Sequence, residues 1–344
     1  MSFKSYSSID EKSRRLTLDK YIARGFTDQD WVVTTKIHGS NFSVFMPNGD
    51  WKFSRRTAWL KDDESFFNYQ RAIERHKEKL ETLRALVLNE FGLDESYDVQ
   101  VYGELFGGAY PHPDVDRIPN VAKVQDKVWY CPDVDFFPFD IYVRKEEEKN
   151  FPLDHDVFER LVQFSGFEVY AKALFTGTFQ ECLDYPNDYP DPIHKLYGLP
   201  EIEGNICEGN VLKPVKACCE PSGSRVILKT KNDKFTERER VPKDKSPIVP
   251  ASEEAKRVIQ IADEYITENR LRNVLSHMGE ITQKDFGKVM GAFAQDVRKD
   301  VLGDDPEIFD KVEEDEIKRV NKTINNACAG LIKKNFVNII DGTF

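Results

Sequence analysis

From about residue 30 to residue 235, apolar positions recur mostly in short alternating runs broken by Gly, Pro and Asn, the pattern of β-strands. In "WVVTTKIHGSNFSVF" (31–45), Val32 and Val33 precede Gly39, and Phe42, Val44 and Phe45 follow it. With Ser40 and Asn41 beside the glycine, this predicts two half-buried strands joined by a tight turn. Further strands are predicted at 98–106, 134–143, 208–215 and 224–231. One stretch keeps a helical period: Tyr69, Ile73, Leu80, Leu83 and Val87 ahead of Gly92 predict a helix over roughly 62–91. Many strands with few helices indicate an α+β domain of largely antiparallel sheets flanked by helices, not a doubly wound one.

The pattern changes at "NDKFTERERVPKDKSPIVP" (232–250), which is charged and proline-punctuated and reads as an exposed linker. Beyond it Ala255, Val258, Ile259, Ala262, Tyr265 and Ile266 form one apolar stripe with Ser252 as its cap. Thr282 and Asp285 read as a capping box ahead of Phe286, Val289, Met290 and Phe293. Asp305 and Pro306 are expected to open another helix carrying Ile308, Phe309 and Val312. The expected organisation is a first domain over 1–235, a linker over 236–250 and a small all-helical domain over 251–344.

Composition adds constraints. No apolar run approaches the ~20 residues of a membrane span, and "MSFKSYSSIDEKSRR" lacks an apolar signal core. The six cysteines are scattered without a C-x-x-C pair, so zinc is not expected and reduced thiols in an intracellular protein are. A net charge of -11 argues against a nucleic-acid partner, but from Cys207 to Lys245 ten Lys or Arg stand against six Asp or Glu. An acidic chain can still offer phosphates one basic groove.

Lys36 is the anomaly in this stretch, a long cation near the end of the first strand, two residues from His38 and three from Gly39. It is either a solvated strand-end lysine or a nucleophile toward phosphorus. With a reference pKa near ~10.4, a nucleophilic lysine needs nearby cations or desolvation to become neutral. Lys229 and Lys231 in "VILKTK" lie at i and i+2, on one strand face, where two ammonium groups repel unless an anion lies between them. An edge strand guarded by lysines has the same pattern. "YGELFGG" and "CEGNVLKP" set Glu104 and Glu208 beside glycines in apolar strands, where a carboxylate needs a partner. Glu208 suits a magnesium ion on phosphates, and Glu104 a ribose hydroxyl. Phe139, beside Asp140, is either core or a stacking surface for a purine. Of Arg55 and Arg56 in "KFSRRT", alternation leaves one solvated and one able to reach a phosphate.

In this order, K-x-H-G, R-T, G-E, F-D, E-G-x-x-L-K-P and K-x-K resemble the motifs of the covalent nucleotidyltransferases, the polynucleotide ligases and RNA-capping enzymes. His38, where DNA ligases and capping enzymes usually carry aspartate, narrows the resemblance. "KIHGSNFS", "YGELFGG" and "EGNVLKP" are similar to the RNA ligase 2 family, which includes the phage enzyme and the kinetoplastid RNA-editing ligases. "GEITQKDFGKVMG" (279–291) is similar to that family's helical C-terminal domain.

The resemblance implies an ATP-grasp-like nucleotidyltransferase domain followed by helices, and an ATP-dependent RNA ligase. It makes Lys36 the adenylylated lysine, His38 a residue of the sealing step, and Arg56 the essential arginine before Thr57. Glu104 becomes the ribose contact, Phe139 the adenine stack and Asp140 its acidic neighbour. Glu208, with Asp140, is assigned to the metal, and Lys229 and Lys231 to the phosphates and AMP. Thr35, Ile37 and Asn41 join the cofactor-binding set, Asn41 also serving RNA joining, and Arg270 and Asp296 match functional residues of the C-terminal domain. Implied cofactors are ATP and Mg2+, with Mn2+ as a substitute. The implied substrate is RNA ends, above all nicked duplex RNA, handled by a monomer. Bulky "AWL" (58–60) and the long 108–135 segment depart from the phage member and leave substrate preference open. A DNA ligase or capping enzyme is the rival enzyme reading, and a non-catalytic nucleotide- or RNA-end-binding module the rival of another class.

Overall fold

The computed structural model describes residues 3–11, 15–146, 150–232, 235, 251–278, 281–341 and 344. The chain divides into two compact units. One comprises Met1–Glu11, Gln29–Ala217 and Ile227–Pro242; the other comprises Lys12–Asp28, Cys218–Val226 and Lys243–Phe344. Two stretches within the span expected for the first domain therefore group with the helical unit: Cys218–Val226 and the helix α1 (Arg15–Ala23). The linker expected over 236–250 lies outside the described residues.

The first unit holds two sheets. The five-stranded sheet runs β1 (Asp10–Glu11), β11 (Leu228–Lys231), β10 (Gly209–Pro214), β2 (Trp31–Thr35), β9 (Ala173–Gly177). The six-stranded sheet runs β5 (Ala58–Trp59), β4 (Lys52–Arg55), β3 (Ser40–Met46), β6 (Asp98–Gly107), β7 (Val134–Arg144), β8 (Phe151–Pro152). Every pairing is antiparallel except β1 with β11. The unit is α+β with antiparallel sheets.

Helix α2 (Tyr69–Glu90) buries Leu80, Leu83 and Val87 in a core shared with Val44, Val101 and Phe136. It begins later than the 62–91 pattern suggested. Phe67 and Asn68 both take positive φ (48° and 56°), so the chain breaks there before the regular helix starts. Three short helices escape the sequence pattern: α3 (His155–Phe164), α4 (Phe179–Asp184) and α5 (Ile193–Leu196). The strand expected over 224–231 shortens to Leu228–Lys231, because residues 224–226 fold back on 218–220, with the Val226 N–H donating to the Cys218 carbonyl at 3.1 Å and the Glu220 N–H to the Ser224 carbonyl at 2.8 Å.

The second unit is helical: α6 (Glu253–Tyr265), α7 (Glu268–Ser276), α8 (Phe286–Asp304) and α9 (Glu314–Ile340) join α1. Ser252 caps α6 by accepting from the Ala255 N–H at 3.2 Å. Thr282 and Asp285 form the reciprocal capping box ahead of α8. Its core takes Ile22 and Ala23 of α1 together with Val258, Val297 and Ile324. The helix expected after Asp305 and Pro306 does not form. Residues 306–312 are turns, where Asp305 accepts from the Glu307 N–H and from Lys311 while Ile308 and Val312 are still buried. The next helix waits for Glu313, and Glu314, Asp315 and Glu316 place carboxylates at its positive end. Among the described residues no helix is long and apolar enough to cross a membrane.

Candidate active site

Register decides which side chains share the cleft. β10 lies between β2 and β11, pairing Gly209 with Lys231, Val211 with both Lys229 and Thr34, and Lys213 with Val32. Side chains alternate along strands, so Lys229, Lys231, Val211, Lys213, Val32 and Thr34 share one sheet face. Lys36 prolongs that row, its N–H bonding to the Gly209 carbonyl at 2.9 Å. Two glycines make the close approach possible. A Cβ on Gly39 would stand 2.1 Å from the Leu105 carbonyl oxygen, and one on Gly209, at φ +145°, would stand 1.9 Å from that of Thr230.

Glu208 is the hub. Its side chain is 4% exposed, with Lys36 Nζ at 2.6 Å, His38 Nδ1 at 3.3 Å and Lys231 Nζ at 3.6 Å. Burial alone would raise its pKa, but the His38 hydrogen bond and the Lys36 charge outweigh that and hold it at about 2. Glu104 has the opposite environment. Burial, reinforced by repulsion from Glu208, pushes its carboxyl up to about 7 against the pull of Lys36 and Arg56. Two adjacent carboxyls thus differ widely in their readiness to ionise. Glu104 stands across the β3–β6 pair from Asn41.

Thr35, Lys36, Ile37, Glu104 and Phe139 line one open cleft, together with Phe137 and Lys213. His38 borders it, its N–H donating to the Tyr130 hydroxyl at 2.8 Å and its ring edge-on to Phe235 at 5.3 Å. Arg55 is ion-paired with Glu64, whereas Arg56 is exposed in the turn after β4, 3.5 Å from the Ser8 hydroxyl. With Arg55 committed to Glu64, Arg56 is the better placed of the two to meet a ligand.

The expected metal pair does not assemble. Asp140 is fully buried; it accepts from the Tyr6 hydroxyl at 2.8 Å and lies 3.8 Å from Lys213, which gives it an internal structural role. Among the described residues no three His, Cys, Asp or Glu converge on a metal position. Glu208 alone is a fitting donor: an ionised carboxylate beside phosphate-binding lysines matches magnesium, which takes few protein ligands plus phosphate and water oxygens. Arg270 and Asp296 pair with each other on α7 and α8 of the helical unit at 2.9 Å, and Asp300 is a second partner of the same arginine.

Two residues that sequence reasoning passed over join the site. Tyr130 holds the backbone of the nucleophile turn, and Lys213 reaches the cleft floor. Lys213 had a legible signal, a cation inside the apolar strand "EGNVLKP". Tyr130, inside the 108–135 segment, had none.

A profile described as RNA ligase matches residues 29–231, and one described as the T4 RNA ligase 2 C-terminal domain matches residues 249–330. The mitochondrial RNA-editing ligase 1 of Trypanosoma brucei brucei is 29% identical over 365 residues, covering 87% of this chain and 76% of the relative. The mitochondrial RNA-editing ligase 2 of the same organism is 27% identical over 353 residues, covering 88% and 83%. A solved Naegleria gruberi RNA ligase with ATP and Mn aligns at 19% identity and a TM-score of 0.45 over 68% of this chain; the match spans 58% of that longer chain.

Proposed function

The chain belongs to the RNA ligase family, and we propose that it uses ATP to seal a 3′-hydroxyl to a 5′-phosphate in RNA, working on nicked duplexes. The observation that carries this reading is the Lys36–Glu208 contact of 2.6 Å, with Lys231 on the same carboxylate at 3.6 Å and Lys36 lining the cleft. In the first step Lys36 Nζ attacks the α-phosphorus of ATP: an N–P bond forms, the bond to the bridging oxygen breaks and pyrophosphate leaves. The attacking form is the neutral amine, so Lys36 releases its proton to solvent and its hold on Glu208 as the nucleotide binds. Lys229, Lys231 and Arg56 offset the charge growing on the phosphates. Bound at Glu208, magnesium would add Lewis-acid stabilisation of the same oxygens. Phe139 stacks on the base, Glu104 accepts from the ribose, and Thr35, Ile37 and Asn41 complete the nucleotide contacts.

The AMP then passes from Lys36 to the 5′-phosphate of an RNA end, and the 3′-hydroxyl displaces it. His38, beside Glu208 and anchored through its backbone, serves this sealing chemistry with Asn41. Arg270 and Asp296 act within the helical unit, where their pairing fastens α7 to α8. The protein acts in RNA repair as a monomer in a reducing compartment, in keeping with six free thiols.

A DNA ligase or capping enzyme usually continues into a β-barrel, whereas the described residues from 251 onward are helices and turns. A binding module without catalysis would not need Lys36, Lys229 and Lys231 together. The test compares nicked duplex RNA, single-stranded RNA and an all-DNA nick in ligation assays with ATP and magnesium. Sealing should be fastest on the RNA nick; equal or faster joining of the all-DNA nick would defeat the substrate assignment.

A further inference from the structure

The nucleobase surface depends on an irregularity in β7. Along the β6–β7 ladder Tyr102 faces Asp140 and Gly103 faces Pro138, so Phe139 has no cross-strand partner. Such a bulge takes one residue out of the ladder and re-aims its side chain, and here it sends Phe139 to the cleft. The neighbouring Pro138 has no N–H to give, and its carbonyl accepts from the Ala171 N–H at 2.9 Å. The Phe139 carbonyl is taken by Lys213 Nζ at 2.8 Å.

Lys213 belongs to β10 in the other sheet, so this one ammonium ties the two sheets together at the bulge. Its side chain is 2% exposed, lies 5.0 Å over the Phe158 ring and stands 3.8 Å from Asp140. Asp140 in turn receives the Tyr6 hydroxyl at 2.8 Å, and the Tyr6 ring stands edge-on to Phe139 at 4.9 Å and 66°. A buried ammonium is costly to keep, and an apolar side chain would fill the same space more cheaply if packing were its only task. Two groups of the bulge offset that cost, the Asp140 carboxylate and the backbone carbonyl of Phe139, the residue that meets the base.

We propose that Lys213 is a positioning residue for nucleobase recognition: by holding the Phe139 bulge it presents the ring to the base of ATP and so sets selectivity for the base, not for the triphosphate. The inference rests on the ATP reading above. Asp140 and Tyr6 act with it, fixing the far side of the same bulge.

The decisive experiment measures Lys36 labelling against nucleotide concentration for the wild type and Lys213→Met, with ATP and with ribose 5′-triphosphate, which lacks a base. The variant should show a KM for ATP raised about tenfold, the size of one lost stacking contact, with kcat within about twofold. On ribose 5′-triphosphate the two proteins should match. Lys213→Arg should recover most of the ATP preference. Because Lys213→Met leaves Asp140 without its cation, Lys213→Met with Asp140→Asn provides a charge-balanced second variant with the same expected loss of base preference. An unchanged KM for ATP in both variants, or equal loss on the two triphosphates, would overturn the proposal. Calorimetric binding of the same two triphosphates separates the failures. A wild type that binds both equally would sink the role of Lys213, whereas preserved base selectivity without Lys36 labelling would sink the ligase reading alone.

Discussion

The sheet-built unit and the helical unit each set cations against carboxylates, but in different surroundings. Glu208, 4% exposed, serves Lys36, His38 and Lys231 at once. In the helical unit the sharing is reversed: one arginine, Arg270, serves Asp296 and Asp300, which are 34% and 42% exposed. One buried carboxylate among several cations leaves positive charge to be met by an anion such as a triphosphate. One arginine between two solvated aspartates is already neutralised and fastens α7 to α8. The same residue types thus make a reactive centre in one unit and a joint in the other, and burial decides which.

The largest expected effect comes from breaking the buried hub. Glu208→Ala should slow Lys36 labelling at least a hundredfold in single-turnover assays, the scale of losing one electrostatic element of a transition state. It should also destabilise the fold by about 3 to 5 kcal/mol in urea unfolding, because the cations remain crowded without their partner. A fully stable variant would place Glu208 outside the charge balance. His38→Ala should separate the steps. Labelling of Lys36 should persist while joining of a nick falls at least tenfold, since the backbone bond to Tyr130 survives the substitution. Equal loss of both would make His38 part of the ATP site.

Glu104→Gln sharpens the contrast between the two carboxyls of the cleft. The folded carboxyl titrates at about 7, above the usual value of 4.5, so the native state keeps a proton that the unfolded chain has released. Stability is therefore lost as pH rises from about 4.5 through 7, and Gln removes that loss. The variant should be more stable than wild type at pH 8, by at most about 3 kcal/mol, and no more stable near pH 4. Its ATP binding should weaken all the same. A melting profile parallel to wild type at every pH would show that the ionised form is fully compensated. The smallest effect belongs to the helical unit. Arg270→Ala should cost no more than about 1 kcal/mol, and a double-mutant cycle with Asp296→Ala should give a coupling of about 0.2 to 1 kcal/mol. A larger coupling would erase the comparison.

Much of the site is legible in the amino-acid sequence wherever local chemistry governs it. Alternation places Lys229 and Lys231 on one face because it depends on near neighbours, and Gly39 shows as a break after Lys36, although what demands glycine there is the distant Leu105 carbonyl. The capping residues Ser252, Thr282 and Asp285 are equally legible. Long-range register is not. Nothing in "FFPFDIYV" announces that Phe139 falls in a bulge, or that Asp140 turns inward to Tyr6 and Lys213, away from a metal. Likewise Asp305–Pro306 satisfies the local rule for a helix start, yet burial of Ile308 and Val312 is met there by turns.

The central claim is that Lys36 is the nucleophile of a cleft built to bind ATP, and covalent labelling tests it most directly. Incubated with ATP labelled at the α-phosphate and magnesium, the wild-type protein should acquire one label through a bond that acid breaks and alkali spares, as a phosphoramidate requires. Peptide mapping should place the label on Lys36, and Lys36→Ala should carry none. Label taken up by Lys36→Ala at the wild-type rate, or mapped to another side chain, would contradict the account.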